Sequence, residues 1–346
     1  MIMVGTIFIG ELPPPYGGVA VKDKLVFQEV YQAIGAEMID LVECKRRPFM
    51  IPVVFWKIIW GMLRRKNVII GVGTHGRRKV LLQMQKLLGG SKGLSRVHIL
   101  AMGGTVHLND AKDIKMQRLM QKVGSVWVET EGMAMGMKDI GVSQTYIFPN
   151  CRTDECAVSP SMSSEGKLRL VFFSRICAEK GVDIIIEAYK SFPQNCSLDF
   201  YGEVAEEFHD AFQIFLHDNP SVRYHGVFDS TNGNVYKELN QYDVMLLPSR
   251  WKGEGVPGAL VEAKMAGITA IVSDWNFNSE IVLDDREGIV LKETSADGLL
   301  KAIKKMSEDR RYTDRLKKGA FESRVRYCIR TYKERLTDIL TEENRL

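Results

Sequence analysis

Residues 242–282 read YDVMLLPSRWKGEGVPGALVEAKMAGITAIVSDWNFNSEIV, and the order of features in this stretch decides the fold. Val244–Leu247 is a short, wholly apolar run. It passes into a loop holding Glu254-Gly255-Val256-Pro257-Gly258. A helix begins near Gly258 and carries Glu262 in its first turn, and Ile268–Val272 follows as a second apolar run. Apolar runs of this length alternating with helices are the strands of a parallel sheet covered on both faces.

The same alternation extends outward. Leu168–Phe173 and Leu198–Tyr201 read as buried strands and Gly181–Lys190 as a helix. In the first half Ile2–Ile9, Val68–Gly73, Arg96–Ala101 and Val126–Glu129 are strand-like, with amphipathic segments such as Val80–Leu88 between them. The stretch 151–166, CRTDECAVSPSMSSEG, lacks periodicity and reads as a linker. A length of 346 residues suits two domains of roughly 150 residues each. The expected architecture is α/β: two Rossmann-like domains with parallel sheets facing across a central cleft. They span 1–155 and 163–329, and a C-terminal helix at about 330–346 packs back on the first.

Composition narrows the class. The chain is 45% hydrophobic and 26% charged, ordinary for a globular protein. Its six cysteines include no CxxC pair, which excludes a disulfide scaffold and a standard zinc cage and fits a reducing compartment. No basic start or cleavage site precedes the first apolar run, so it reads as a strand and not a signal peptide. Residues 1–160 hold 21 Lys+Arg against 13 Asp+Glu, whereas residues 161–346 hold 26 against 30. A basic half and an acidic half point to two domains with different partners.

Candidate site chemistry gathers in the second half. Arg175 and Lys180-Gly181 follow the Leu168–Phe173 strand, at the carboxyl end where open α/β sheets bind ligands. These two cations could clamp a diphosphate. A glycine-rich helix start at Gly258 offers free N–H groups to phosphate or sugar oxygens. Glu254 and Glu262 could each accept a pair of hydroxyl hydrogen bonds. Taken singly, Glu254 reads equally well as a solvated loop residue and Glu262 as a favourable acid near a helix start.

The set RICAEKGVDIIIEAY followed by PSRWKGEGVPGALVEAKMAG resembles the nucleotide-binding half of the retaining glycosyltransferases of family 4, which have the GT-B fold. The resemblance covers the whole C-terminal half and looks most like the enzymes of bacterial capsule and exopolysaccharide assembly. It implies that Arg175 and Lys180 hold the donor's diphosphate and that Glu262 binds the ribose. It also implies that Glu254, with Gly255, Val256, Pro257 and Gly258, meets the transferred sugar. Arg175, Lys180 and Glu254 would be the catalytic set. Where the family more often has a glycine pair, this chain has Trp275–Ser279. The resemblance further implies a nucleotide-diphosphate sugar as co-substrate, UDP-sugar favoured over GDP-sugar, with retention of configuration and no metal or other cofactor. The chain itself lacks a DxD triplet.

In the first half, Pro13-Pro14-Pro15-Tyr16-Gly17-Gly18 follows the first strand, where that family has a glycine-rich loop near the donor. Gly17 and Gly18 are the donor candidates there. Gly103 and Gly104 stand where many members carry a sugar-touching histidine, with His107 and His75 as substitutes. Arg77 and Arg78, near a helix start, are expected to meet a phosphate on the acceptor.

Rival readings remain. Gly71-Val-Gly73-Thr-His-Gly76 matches GxGxxG, but no Asp or Glu occurs between Glu43 and Asp110, where a ribose-binding acid belongs. An NAD(P)-dependent oxidoreductase is the alternative enzyme, with Arg77, Arg78 and Lys79 as possible 2′-phosphate partners. A catalytically silent nucleotide-sugar-binding subunit is the other. The GxSxG at 89–93 follows a helix and so cannot be a nucleophile elbow.

Lys45, Arg46, Arg47 and Arg64, Arg65, Lys66 bracket PFMIPVVFWKIIWGML, which includes Phe55, Trp56 and Trp60. At 16 residues it is too short to span a bilayer, and aromatics with basic flanks suit an interfacial helix on an anionic leaflet. A buried helix of the first domain is the other reading. The partners expected are therefore the donor, a glycan or lipid-diphosphate-linked acceptor and an anionic membrane surface. No nucleic-acid motif is present. The expected location is cytoplasmic, peripheral at the inner face of the cytoplasmic membrane.

Overall fold

The computed structural model describes residues 5–14, 18–64, 66–87, 93–162, 166–229 and 234–340. The chain divides into two units. One is built from the residues up to Arg152 and from Cys328 onward, the other from Thr153 to Tyr327.

In the first unit six strands form one sheet: β1 (Thr6–Gly10), β2 (Glu37–Asp40), β3 (Asn67–Gly71), β4 (Val97–Leu100), β5 (Ser125–Val128) and β6 (Thr145–Ile147). They lie in the order β2-β1-β3-β4-β5-β6, every neighbour parallel. Strands such as β3, NVIIG, are buried at every position because helices cover both faces. The segment after Cys328 completes this unit: the Ile329 amide donates to the Arg152 carbonyl at 3.0 Å, and Asn67 Nδ2 to the Leu340 carbonyl at 3.2 Å. Ile329, Leu336 and Leu340 join Phe8, Ile69 and Trp127 in one core.

The second unit repeats the plan with β7 (Leu168–Phe173), β8 (Cys196–Tyr201), β9 (Arg223–Tyr224), β10 (Val244–Leu247), β11 (Thr269–Ser273) and β12 (Gly288–Leu291). Their order is β12-β11-β10-β7-β8-β9, again all parallel. The winding reverses between β7 and β10. Loops leaving adjacent strands on opposite sides of such a reversal open a crevice at the carboxyl edge of the sheet.

Two expectations are corrected. The helix expected at Val80–Leu88 spans Thr74–Leu87 and so begins inside the Gly71–Gly76 motif. The described part of the 151–166 stretch is tied down. Its Val158 amide donates to the Met265 carbonyl at 2.8 Å and Lys317 Nζ to the Ser161 carbonyl at 2.5 Å, which fastens it to the second unit.

Lys317 also anchors the amino edge of that sheet. Asp243, fully buried, accepts from the Arg169 amide at 3.0 Å and Lys317 Nζ at 3.0 Å and pairs with Arg310 at 3.2 Å. Burial alone would raise its carboxyl, but these donors together outweigh that and hold it at about 2. A carboxyl lowered in this way adds stability above its unfolded value, near 4. That stability is lost as pH falls through the folded value. Asp243→Asn is expected to cost about 3–5 kcal/mol in urea unfolding at neutral pH, because it leaves Lys317 buried without its partner. The gap between variant and wild type should narrow from about pH 4 to about pH 2.

Candidate functional site

The reversal between β7 and β10 brings two loops together. After β7 the chain passes Arg175 and makes a single 3-10 turn at Ala178–Lys180, ending at Gly181 in the left-handed region with φ of 81°. A Cβ at Gly181 would lie 2.2 Å from the Pro248 carbonyl oxygen, so only glycine lets this turn rest on the end of the β10 loop. From the other side Arg250 staples the contact. Its amide donates to the Glu179 carbonyl at 2.7 Å, and its guanidinium reaches the Ala178 carbonyl at 3.0 Å and both oxygens of Asp183 at 2.7–2.8 Å. The sequence reading missed Arg250. The signal was an arginine directly after a buried strand and within reach of the next loop.

This staple places Lys180 against Glu254. Lys180 Nζ lies 2.9 Å from Oε1 and 2.6 Å from Oε2, and Ser249 Oγ donates to Oε2 at 2.9 Å. Glu254 is therefore buried and fully engaged, not a solvated loop acid. Three residues further on, Pro257 caps the Gly258–Met265 helix without any side-chain hydrogen bond. The Leu260 and Val261 amides donate to the Pro257 carbonyl at 3.1 and 3.4 Å, so the amides of Gly258 and Ala259, at the positive end of the helix dipole, are the donors this end can offer. Glu262 occupies the fifth position of the helix, one turn later than expected, and is half-buried. Gly255, Val256 and Pro257 are buried, and the Arg175 side chain is exposed.

Trp275–Ser279 does more than replace a glycine pair. Asn276, at φ of 50°, sends Nδ2 to the carbonyls of Trp251 and Lys252 at 3.2 Å, and lies 3.3 Å from that of Glu254. Trp275 Nε1 donates to the Trp251 carbonyl at 3.0 Å. These bonds pin the loop that carries Glu254. Asn276→Ala removes them and puts a non-glycine, non-asparagine residue in the left-handed region. It is expected to cost about 1–2 kcal/mol and to speed amide hydrogen exchange across Trp251–Val256.

In the first unit the winding reverses between β1 and β3, and the loops there are lined differently. Gly10 and Gly71 end the two strands, and Asp23 on the Gly18–Val26 helix fills the space between them. Cβ atoms at Gly10 and Gly71 would fall 2.7 Å and 2.3 Å from its oxygens. Asp23 is wholly buried, accepts the Glu11 amide at 2.8 Å, and leaves Oδ1 without a partner among the described residues. Its neighbour Lys22 is buried too, paired with Glu129 at 3.0 Å. Neither residue was singled out from sequence. Gly17 lies outside the described residues, and Gly18 opens the helix on its exposed side.

Arg77 is a correction. It is 1% exposed and paired with Asp110 at 2.8 Å, so it is a core residue that can reach neither an acceptor phosphate nor a cofactor's 2′-phosphate. Arg78 is exposed and paired with Asp113, and His75 is exposed. Gly103, in the left-handed region, and Gly104 form the turn after β4. His107 packs against Gly136 of the Glu131–Asp139 helix, and burial lowers its pKa against the opposing pull of Asp139.

Of the membrane candidates, Phe55, Trp56 and Trp60 are exposed on the Ile51–Leu63 helix. Lys45, Arg46, Arg47 and Arg64 are exposed beside it. Lys66 is instead drawn to Glu37, and Arg65 lies outside the described residues. Among the described residues no helix is long and apolar enough to cross a membrane, and no cluster of His, Cys, Asp and Glu could hold a metal ion.

With this geometry in hand, the comparisons identify the class. Over 97% of the chain the fold superposes with a TM-score of 0.72 on 99% of Anabaena HepE, solved in complex with UDP-glucose, at 12% identity. Residues 159–323 match the family described as glycosyl transferases group 1. The fold is GT-B, and its second unit is a group 1 glycosyltransferase domain.

Curated relatives agree. A protein of Methanocaldococcus jannaschii described as an uncharacterized glycosyltransferase is 26% identical over 151 residues, 42% of this chain and 37% of that protein. The UDP-Gal:alpha-D-GlcNAc-diphosphoundecaprenol alpha-1,3-galactosyltransferase of Escherichia coli is 33% identical over 72 residues, 21% of this chain and 18% of the enzyme. The chain thus spans less than two-fifths of the length of the curated relatives it matches.

Burial pushes the Asp23 carboxyl well above the usual carboxylate range, against the hydrogen bond from the Glu11 amide. An acid raised on folding costs stability as pH rises above its unfolded value. Asp23→Asn removes that cost. Its melting temperature relative to wild type is expected to climb as pH rises above about 4, and a constant difference would refute the assignment.

Proposed function

We propose that the chain is a retaining, metal-independent hexosyltransferase. It moves a sugar from a nucleotide diphosphate, UDP favoured, to a glycan or lipid-diphosphate-linked acceptor in bacterial surface polysaccharide synthesis. It works on the cytoplasmic side, as a peripheral protein at the inner face of the membrane. The observation that carries this reading is the Lys180–Glu254 pair, held at the strand-order reversal beside an uncapped helix start. The names of two relatives support the choice of UDP: one binds UDP-glucose, and the other takes UDP-Gal and a diphosphoundecaprenol-linked acceptor.

In this reading the leaving diphosphate carries the developing charge. Lys180, held beside Glu254, and the exposed cation of Arg175 receive it together with the Gly258 and Ala259 amides at the start of the Gly258–Met265 helix. Glu262, half-buried on that helix, takes the ribose hydroxyls. The bond from the sugar's anomeric carbon to the diphosphate breaks while the bond to the acceptor oxygen forms on the same face. The acceptor's proton passes to the departing phosphate oxygen. Donors already in position for that charge lower the barrier without reorganising.

Thermal shift without metal is the first test. UDP at about 100 times its Kd is expected to add about 2.7 kcal/mol to the folded state, a rise of a few degrees. GDP, ADP, NAD and NADP should add less. Stabilisation by NAD or NADP alone would overturn the reading. Lys180→Ala should lower kcat/KM about 100- to 1,000-fold, the loss typical of one charge-stabilising donor. Near-wild-type turnover would equally count against it.

A further inference from the structure

The Ile51–Leu63 helix has an apolar face that stays exposed among the described residues. Its inward side is short: Gly61 is buried, so close to Ile7 that a Cβ would lie 2.4 Å from Ile7 Cδ1, and Val54, Ile58 and Met62 are half-buried beside it. The opposite side is equally apolar. Phe49, Val53, Trp56, Trp60 and Leu63 recur every three or four residues and are 46–76% exposed, with Ile51 at 54% in the first turn. A helix that is apolar all round is ordinarily buried all round. Here half of it faces outward, a contiguous patch of a kind that monomeric proteins rarely leave open.

We infer that this face is a docking surface for an anionic phospholipid monolayer, into which the Ile51–Leu63 helix settles parallel to the bilayer plane. The inference rests on the proposed function, which sets the chain at a membrane face, and deepens it by naming the surface that meets the lipid. Three observations favour lipid over a protein partner. First, exposed Lys57 interrupts the apolar face, and exposed Lys45 and Arg47 at one end and Arg64 at the other rim it. These cations would meet their own copies across a two-fold axis, so a self-paired dimer would set like charges together. Anionic headgroups complement them.

Second, Trp56 and Trp60 stack at 6.2 Å between ring centroids, and the Arg64 guanidinium lies 4.8 Å from the Trp60 ring. Amphipathic rings beside a cation suit the boundary between headgroups and acyl chains. Third, the helix has 13 residues, about 20 Å of rise. That is enough to lie in the interface and too little to cross it.

The test is sedimentation of the full chain with vesicles of phosphatidylcholine alone and of phosphatidylcholine with about one-third phosphatidylglycerol. Wild type should sediment with the anionic vesicles, less so as salt rises. Trp56→Glu with Trp60→Glu should weaken sedimentation at least about tenfold. Lys45→Glu with Arg64→Glu, on exposed positions, should weaken it severalfold and flatten the salt dependence. All variants should keep the wild-type thermal shift with UDP. Unchanged sedimentation of the tryptophan variant overturns the proposal. So does a wild-type dimer in analytical ultracentrifugation that the tryptophan variant converts to monomer while vesicles bind neither. Sedimentation as described with no nucleotide response would support this surface while counting against the donor reading. A nucleotide response without sedimentation does the reverse.

Discussion

One close approach organises the second unit: the turn ending at Gly181 resting on the Pro248 carbonyl. β7 and β10 are neighbours in the sheet although more than seventy residues separate them in sequence. Their loops leave on opposite sides of the reversal, so nothing in local chain geometry obliges them to touch. The glycine permits the contact and Arg250 fastens it with bonds to the Glu179 and Ala178 carbonyls and to Asp183. Lys180 and Glu254 then fall within hydrogen-bond range. Without that approach the cation and the carboxylate would be two solvated side chains, each contributing little.

The first unit uses its own reversal differently. Where the second unit presents a cation and a carboxylate, the first fills the corresponding space with a buried acid, Asp23, and packs Gly10 and Gly71 directly against it. Two of the cations of this half are also internal. Lys22 and Arg77 lie in the core, paired with Glu129 and Asp110. Each of these burials removes one cation and one anion together, so the excess of base over acid in this half is left at the surface.

Legibility from sequence followed burial. β7 and β10 were placed to the residue, because strands buried on both faces are continuous apolar runs. β2, β6, β9 and β12 were not foreseen. EMID, TYI and the two-residue β9 are short and part-exposed, and GIVL begins with a glycine. In the site, Lys180, Glu254 and the Gly258 helix start were readable because the motif is local to two loops. Arg250, Asp23 and the burial of Arg77 were not, since each depends on a partner far along the chain, such as Asp110 for Arg77.

The Trp275–Asn276 latch shows how a departure from a familiar pattern can keep its mechanical purpose. A glycine pair at a loop end supplies freedom to enter the left-handed region. Asparagine tolerates that region better than most side chains and adds a hydrogen-bonding arm. At Asn276 the arm turns a permissive corner into a brace on the carbonyls of Trp251 and Lys252. The Glu254 loop is thus braced by side chains of the protein itself. On the donor reading proposed above, less conformational entropy would remain to be lost on binding, and preorganisation of this kind favours both affinity and charge stabilisation.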